Sequence, residues 1–183
     1  MRISFGMRVL LVTPVCEMLR VMRTPFLLAA AVGALAVLPS AATAATPRCH
    51  TSDLSARVGN VDAGAGQRNA TLTLTNHSGH TCRTAGYVGL QLATPAGTAI
   101  RTSTKRTGGA TPTVTLKPGA TAVSTLAWTV IATGDEPTNG PCEPSATDLL
   151  VIPPNEMTQT ATAWTQGPVC NHGQFTVGPL KKG

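Results

Sequence analysis

At 183 residues with 14 Lys/Arg and 8 Asp/Glu, the chain is the size of a single domain and mildly basic. Arg2, Arg8, Arg20, Arg23 and Glu17 precede residue 45, so residues 45–183 keep ten basic and seven acidic side chains, a net +3. That is too little for the basic patch or stripe of a nucleic-acid binder, and 26 Thr among those 139 residues with few aromatics argue for strands over helices.

The chain opens with a targeting segment. From Met22 it reads Met22-Arg23-Thr24-Pro25, an apolar run from Phe26 to Leu38, then small residues ending in Ala42-Thr43-Ala44. A positive end, an apolar stretch too short to span a bilayer and a small-residue cleavage site predict a secretory signal peptide over 1–44. Met22 makes the most compact start, with 1–21 a mis-assigned extension. A longer charged leader from Met1, Met7 or Met18 is the alternative. Neither Cys16 nor Cys49 follows the Leu-small-small triplet of a lipid-anchored protein, and no later apolar stretch is long enough to cross a membrane. The expected product is one secreted domain over 45–183 without a lipid anchor.

Leu54–Val58 is predicted as the first strand and Val61–Gly66 as a turn. In Asn69–Asn76, Ala70, Leu72 and Leu74 alternate with Thr71, Thr73 and Thr75, the clearest period of two in the chain. Asn76-His77-Ser78-Gly79 is a turn. Thr81–Thr84 and Tyr87–Leu92 read as one strand with a Gly kink, followed by Ala99–Thr104. Arg101, Lys105 and Arg106 beside Gly108-Gly109 read as a flexible basic tip. Thr113–Leu116 leads into Lys117-Pro118-Gly119, where Pro and Gly suit the centre of a type II turn. The longest strand alternates through Ala122, Ser124, Leu126, Trp128 and Val130, with Trp128 as core anchor. Asp135–Pro144 is a polar loop around Cys142. Asp148–Ile152, Gln159–Trp164 and Gln174–Val177 are the last strands, and the tail Leu180–Gly183 is expected to fray. The sum is an all-β, immunoglobulin-like antiparallel β-sandwich of about eight or nine strands.

Four cysteines remain after residue 44: Cys49, Cys82, Cys142 and Cys170. An even number in an exported chain predicts two disulfides. Three pairings exist, and Cys49–Cys82 with Cys142–Cys170 is preferred because each ties neighbouring strands of one half. Zinc held by these cysteines is disfavoured, since no C-x-x-C is present.

The order Leu72-Thr73-Leu74-Thr75-Asn76, Thr81-Cys82, Ala85-Gly86-Tyr87, Leu116-Lys117-Pro118-Gly119, Leu126-Ala127-Trp128, Cys142 and Leu150–Pro154 resembles the actinobacterial family called domain of unknown function 4232, over about residues 49–178. The resemblance implies a secreted or lipid-anchored envelope β-sandwich and no particular activity. The chain departs from it at Val88, where many members carry Pro, and in lacking the lipid-attachment motif.

Motifs for chemistry are sparse. His77 and His80 lie close in sequence, and His50 and His172 flank Cys49 and Cys170. His77 and His80 are the candidate metal ligands, against the plain reading of a solvated turn, with no H-E-x-x-H and no adjacent carboxylate. No serine lies in a G-x-S-x-G elbow. The acids are scattered, which argues against a paired-carboxylate glycosidase, and Gly64-Ala65-Gly66 lacks the rest of a dinucleotide fingerprint. Asn69 and Asn76 fit N-glycosylation patterns that a Thr-rich chain produces by chance. The expectation is a non-catalytic exported binding domain, with no catalytic residue, no cofactor and an envelope protein or glycan as partner. A metal-binding protein using clustered His and a secreted hydrolase are the alternatives.

Overall fold

The computed structural model describes residues 45–183; the signal peptide expected over 1–44 lies outside them. It contains twelve strands: β1 Leu54–Val58, β2 Asp62–Gly64, β3 Gln67–Asn76, β4 Cys82–Thr84, β5 Gly89–Ala93, β6 Ser103–Arg106, β7 Val114–Leu116, β8 Thr121–Thr129, β9 Asp148–Ile152, β10 Thr160–Ala163, β11 Gln174–Val177 and β12 Lys181–Lys182. No helix among the described residues is long and apolar enough to cross a membrane.

The larger sheet runs β1-β3-β8-β11-β6, with β2 also on β3 and β12 also on β8. Its spine is the antiparallel pair β3/β8, in register from Gln67↔Thr129 to Thr75↔Thr121. Every second residue of both strands faces inward. Ala70, Leu72 and Leu74 are buried with Ala122, Ser124, Leu126 and Trp128, while Thr71 and Thr125 stay outside. The smaller sheet, β10-β9-β5, turns Leu90, Leu92, Leu149 and Val151 inward. A two-stranded pair, β4/β7, adds Cys82, Val114 and Leu116 to the same apolar core. The fold is thus all-β and sandwich-like, with inner faces sharing one core.

Three aromatic rings join the sheets. Trp128 of β8 lies 5.0 Å from Trp164, just after β10, and 5.9 Å from Phe175 of β11; Trp164 meets Phe175 edge-on at 5.4 Å. Such tilted contacts add about 0.5–1.5 kcal/mol each to the area they bury. The Trp164 indole N–H donates to the carbonyl of Gly167, while that of Trp128 is buried without a partner among the described residues.

A buried asparagine pins the end of the spine. Asn76, fully enclosed at the end of β3, donates through Nδ2 to the carbonyls of His80 and Leu116, and its Oδ1 accepts from the amide and hydroxyl of Ser78. Its backbone also bonds Ala120 and Gly119. One side chain therefore ties the turn after β3 to the Lys117–Ala120 turn before β8. There Gly119 has φ 79° and Ala120 N–H reaches the Lys117 carbonyl, as a type II turn requires.

The disulfides are Cys49–Cys82 and Cys142–Cys170. The first anchors the segment before β1 to β4, where Cys49 N–H also bonds the Arg83 carbonyl.

Several expectations are corrected. Thr81–Leu92 is not one kinked strand: Gly86, at φ 116°, separates β4, which pairs with β7, from β5, which pairs with β9. The span read as a turn at 61–66 contains β2, folded back on β3 by a tight turn at Ala65-Gly66. The basic segment is not a flexible tip. Lys105 and Arg106 lie in β6, which pairs with β11 in parallel and so breaks the antiparallel pattern. The Arg106 guanidinium sits 5.4 Å from the centre of the Tyr87 ring, and the Tyr87 hydroxyl donates to the Gly108 carbonyl. The tail does not fray: Leu180 is fully buried, Lys181 and Lys182 pair with Val123 and Ala122, and Gly183 N–H reaches the Thr121 carbonyl.

Two stability tests follow. Replacing Cys49 and Cys82 together by Ser should lower unfolding stability by ~3–4 kcal/mol, since the bond closes a loop with a sequence separation of 33. Asn76→Ala should cost ~2–4 kcal/mol by orphaning buried carbonyls. Both are read from denaturant unfolding, with an unchanged slope for Asn76→Ala and a steeper one for the disulfide variant, whose unfolded chain is no longer cross-linked.

Candidate functional site

The loop between β8 and β9 carries the most elaborate polar construction in the described chain. Thr133 and Glu136 close it on itself: Glu136 N–H donates to the Thr133 carbonyl, and the Thr133 amide and hydroxyl donate to Glu136 Oε2 at 2.7 and 3.1 Å. The same carboxylate crosses to the segment after Cys170. It accepts from the amides of Asn171 through Oε2 at 3.0 Å and His172 through Oε1 at 2.7 Å.

Those amides converge because the backbone is left-handed there. Asn171 (φ 57°), His172 (φ 56°) and Gly173 (φ 71°) form one left-handed turn, whose successive N–H groups make a concave anion seat. Left-handed geometry costs about 1–2 kcal/mol for each non-glycine residue. Charge-assisted hydrogen bonds to a buried carboxylate return about 1.5–3 kcal/mol each, so the clasp outweighs the strain. Gly173 is required, because a Cβ there would collide with the Arg101 carbonyl oxygen.

Burial, the largest single influence on Glu136, opposes its ionisation. The amides of His172, Thr133 and Asn171 and the Thr133 hydroxyl together outweigh it and hold the carboxyl at a pKa of about 2.

His172 sits among three acids. Its Nε2 is 3.2 Å from Asp135 Oδ1, and its Nδ1 is 3.9 Å from both Glu136 Oε1 and Glu143 Oε1. Glu136, Glu143 and His172 each offer one ligating atom within 4.8 Å of the others, the one such trio among the described residues.

A second, looser cluster lies at the other disulfide. Glu156 Oε2 accepts from the amide and hydroxyl of Thr51, and its Oε1 is 3.4 Å from His50 Nδ1. The Thr51 amide lowers the Glu156 pKa, burial opposes it, and the His50 charge and Thr51 hydroxyl assist. Asp53 accepts from the His50 amide, and its Oδ2 is 3.7 Å from His80 Nε2. The candidate ligands His77 and His80 therefore enter no trio of ligating groups; His77 gives its amide to the Asp53 carbonyl.

Sequence reading passed over Asp135, Glu136 and Glu143 as parts of a polar loop. The usable signal was their placement: Glu143 follows Cys142 and His172 lies two residues after Cys170, so the Cys142–Cys170 bond brings them together.

Beside the clasp, the outer wall of the same loop forms an open cleft of about 270 Å³ with mixed polar and apolar walls. Ile131, Pro137, Pro141 and Pro168 contribute to its lining. Ile131 is 56% exposed and rests on Gly66, where any Cβ would strike it.

Residues 49–181 match the family model described as "Domain of unknown function (DUF4232)". No curated protein and no solved structure matches the chain.

Glu136→Gln should destabilise the protein by ~2–4 kcal/mol, because an amide cannot accept every bond the carboxylate accepts. The Glu136 pKa is lowered by folding, so its contribution is complete above about 4.5 and is lost as pH falls towards 2. In denaturant titrations the gap between wild type and variant should narrow from pH 4.5 downwards and close near pH 2.

Proposed function

The chain belongs to the family of domain of unknown function 4232, and we propose that it is an exported, non-catalytic binding domain of the cell envelope or extracellular space. The observation that carries this reading is the cleft around Ile131. A large aliphatic side chain is held half in solvent on a loop fixed by a disulfide and by the Glu136 clasp. A surface held in place in this way loses little entropy on binding, and loops on a rigid sandwich are where such domains meet partners. Two disulfides and the lack of a membrane-spanning helix among the described residues are consistent with life outside the cytoplasm.

The titratable groups support a binding role over a hydrolytic one. A general acid or base works best with a pKa near the operating pH. Glu136 and Glu156 are instead pushed down, with oxygens engaged by backbone amides. They act as structural acceptors.

The test is retention of envelope protein or glycan by immobilised protein, compared between wild type and Ile131→Asp. The expected result is a component retained by wild type and released roughly tenfold more readily by the variant, with an unchanged unfolding temperature. Equal retention by both would remove the cleft as the contact surface.

A further inference from the structure

We propose that Glu136, Glu143 and His172 form a binding site for one divalent transition-metal ion, with zinc as its type. The argument starts from the imidazole. Asp135 Oδ1 lies 3.2 Å from Nε2, and its negative charge favours the proton on that nitrogen and the lone pair on Nδ1. A carboxylate on the far nitrogen is the usual way in which a metal-binding histidine is oriented. The freed lone pair faces Glu136 Oε1 and Glu143 Oε1, each 3.9 Å away.

That spacing separates two readings. A protonated Nδ1 bonded to either carboxylate would sit within about 2.7–2.9 Å of it, and 3.9 Å is no hydrogen bond. Tetrahedral zinc with bonds near 2.0–2.1 Å places its ligand atoms roughly 3.3–3.4 Å apart. The two imidazole-to-carboxylate gaps are thus about half an ångström wider than in a filled site and about an ångström wider than a hydrogen bond, and the three ligand atoms together span 4.8 Å, so the carboxylates draw in on binding.

Each donor has a free lone pair. Glu136 Oε2 takes three donors, whereas Oε1 takes only the His172 amide. The Glu143 side chain is only 14% exposed, yet receives no hydrogen bond from the described residues. Neither Lys nor Arg answers this charge: the ion pairs among the described residues are all imidazole to carboxylate. Three carboxylates around one imidazole leave a negative centre even if the ring is charged. One nitrogen and two carboxylate oxygens suit zinc or its neighbours, whereas calcium prefers six to eight oxygens. The Cys142–Cys170 bond holds the two ligand segments together.

The experiment is calorimetric titration of the purified, disulfide-bonded chain, stripped by chelator, with zinc and separately with calcium. The expected result is one zinc per chain and no comparable calcium binding. Glu143→Gln and His172→Asn should each weaken zinc roughly tenfold or more, while a His77→Ala, His80→Ala double variant binds as wild type. Glu143→Gln removes no hydrogen bond of the clasp, and Asn tolerates the left-handed backbone at 172. Unchanged unfolding temperatures then assign the loss to the site. Absence of stoichiometric zinc binding, or full affinity in Glu143→Gln and His172→Asn, would overturn the proposal.

Discussion

The register of β3 against β8 is the constraint on which the rest of the molecule depends. Side chains alternate with a period of two, so a slip of one residue would turn Thr71, Thr73 and Thr75 inward and expel Leu72 and Leu74. Nine consecutive residue pairs hold the register, and the buried Asn76 fixes its end by joining the turns on either side. Every other strand of the larger sheet is placed by this pair. β1 and β2 share the free edge of β3, β11 and β12 share that of β8, and β6 is reached through β11.

Where strands stop, carboxylates take over. Glu136 and Glu156 each collect amides from a distant segment, 35 or 36 residues away for Glu136 and 105 for Glu156. Both sit beside a half-cystine of a disulfide or the residue next to it in the fold, so covalent and electrostatic links act on the same segments. The protein places few of its charges in such positions, and partners them with histidine and backbone instead of with lysine or arginine. The ten Lys and Arg side chains among the described residues are exposed, apart from Arg68, which is half-buried in β3.

The spine was legible in the sequence because alternation reports a sheet with one face buried. β3, β8 and β11 show it, β9 reads instead as a continuous apolar run from Leu149 to Ile152, and Trp128 falls where the pattern puts it. The edges were not legible. β6 and β12 are composed of exposed residues, Lys105, Arg106, Lys181 and Lys182 among them, and charge on an edge strand reads as loop or tail. The parallel pairing of β6 joins residues about 70 positions apart, which no local pattern encodes. The Glu136 clasp was hidden for a different reason. It requires a left-handed turn at Asn171–Gly173, which Asn, His and Gly suit, but nothing in that tripeptide names the distant carboxylate its amides receive. The clue lay in the neighbours of the cysteines, and it becomes readable only once the disulfide pairing is settled.

That pairing also bears on how the protein is made. The two bonds are neither nested nor crossed: Cys49–Cys82 is complete before Cys142 appears in the chain, and Cys142–Cys170 follows. Among the four cysteines of the described residues, joining neighbours in chain order therefore gives both native bonds.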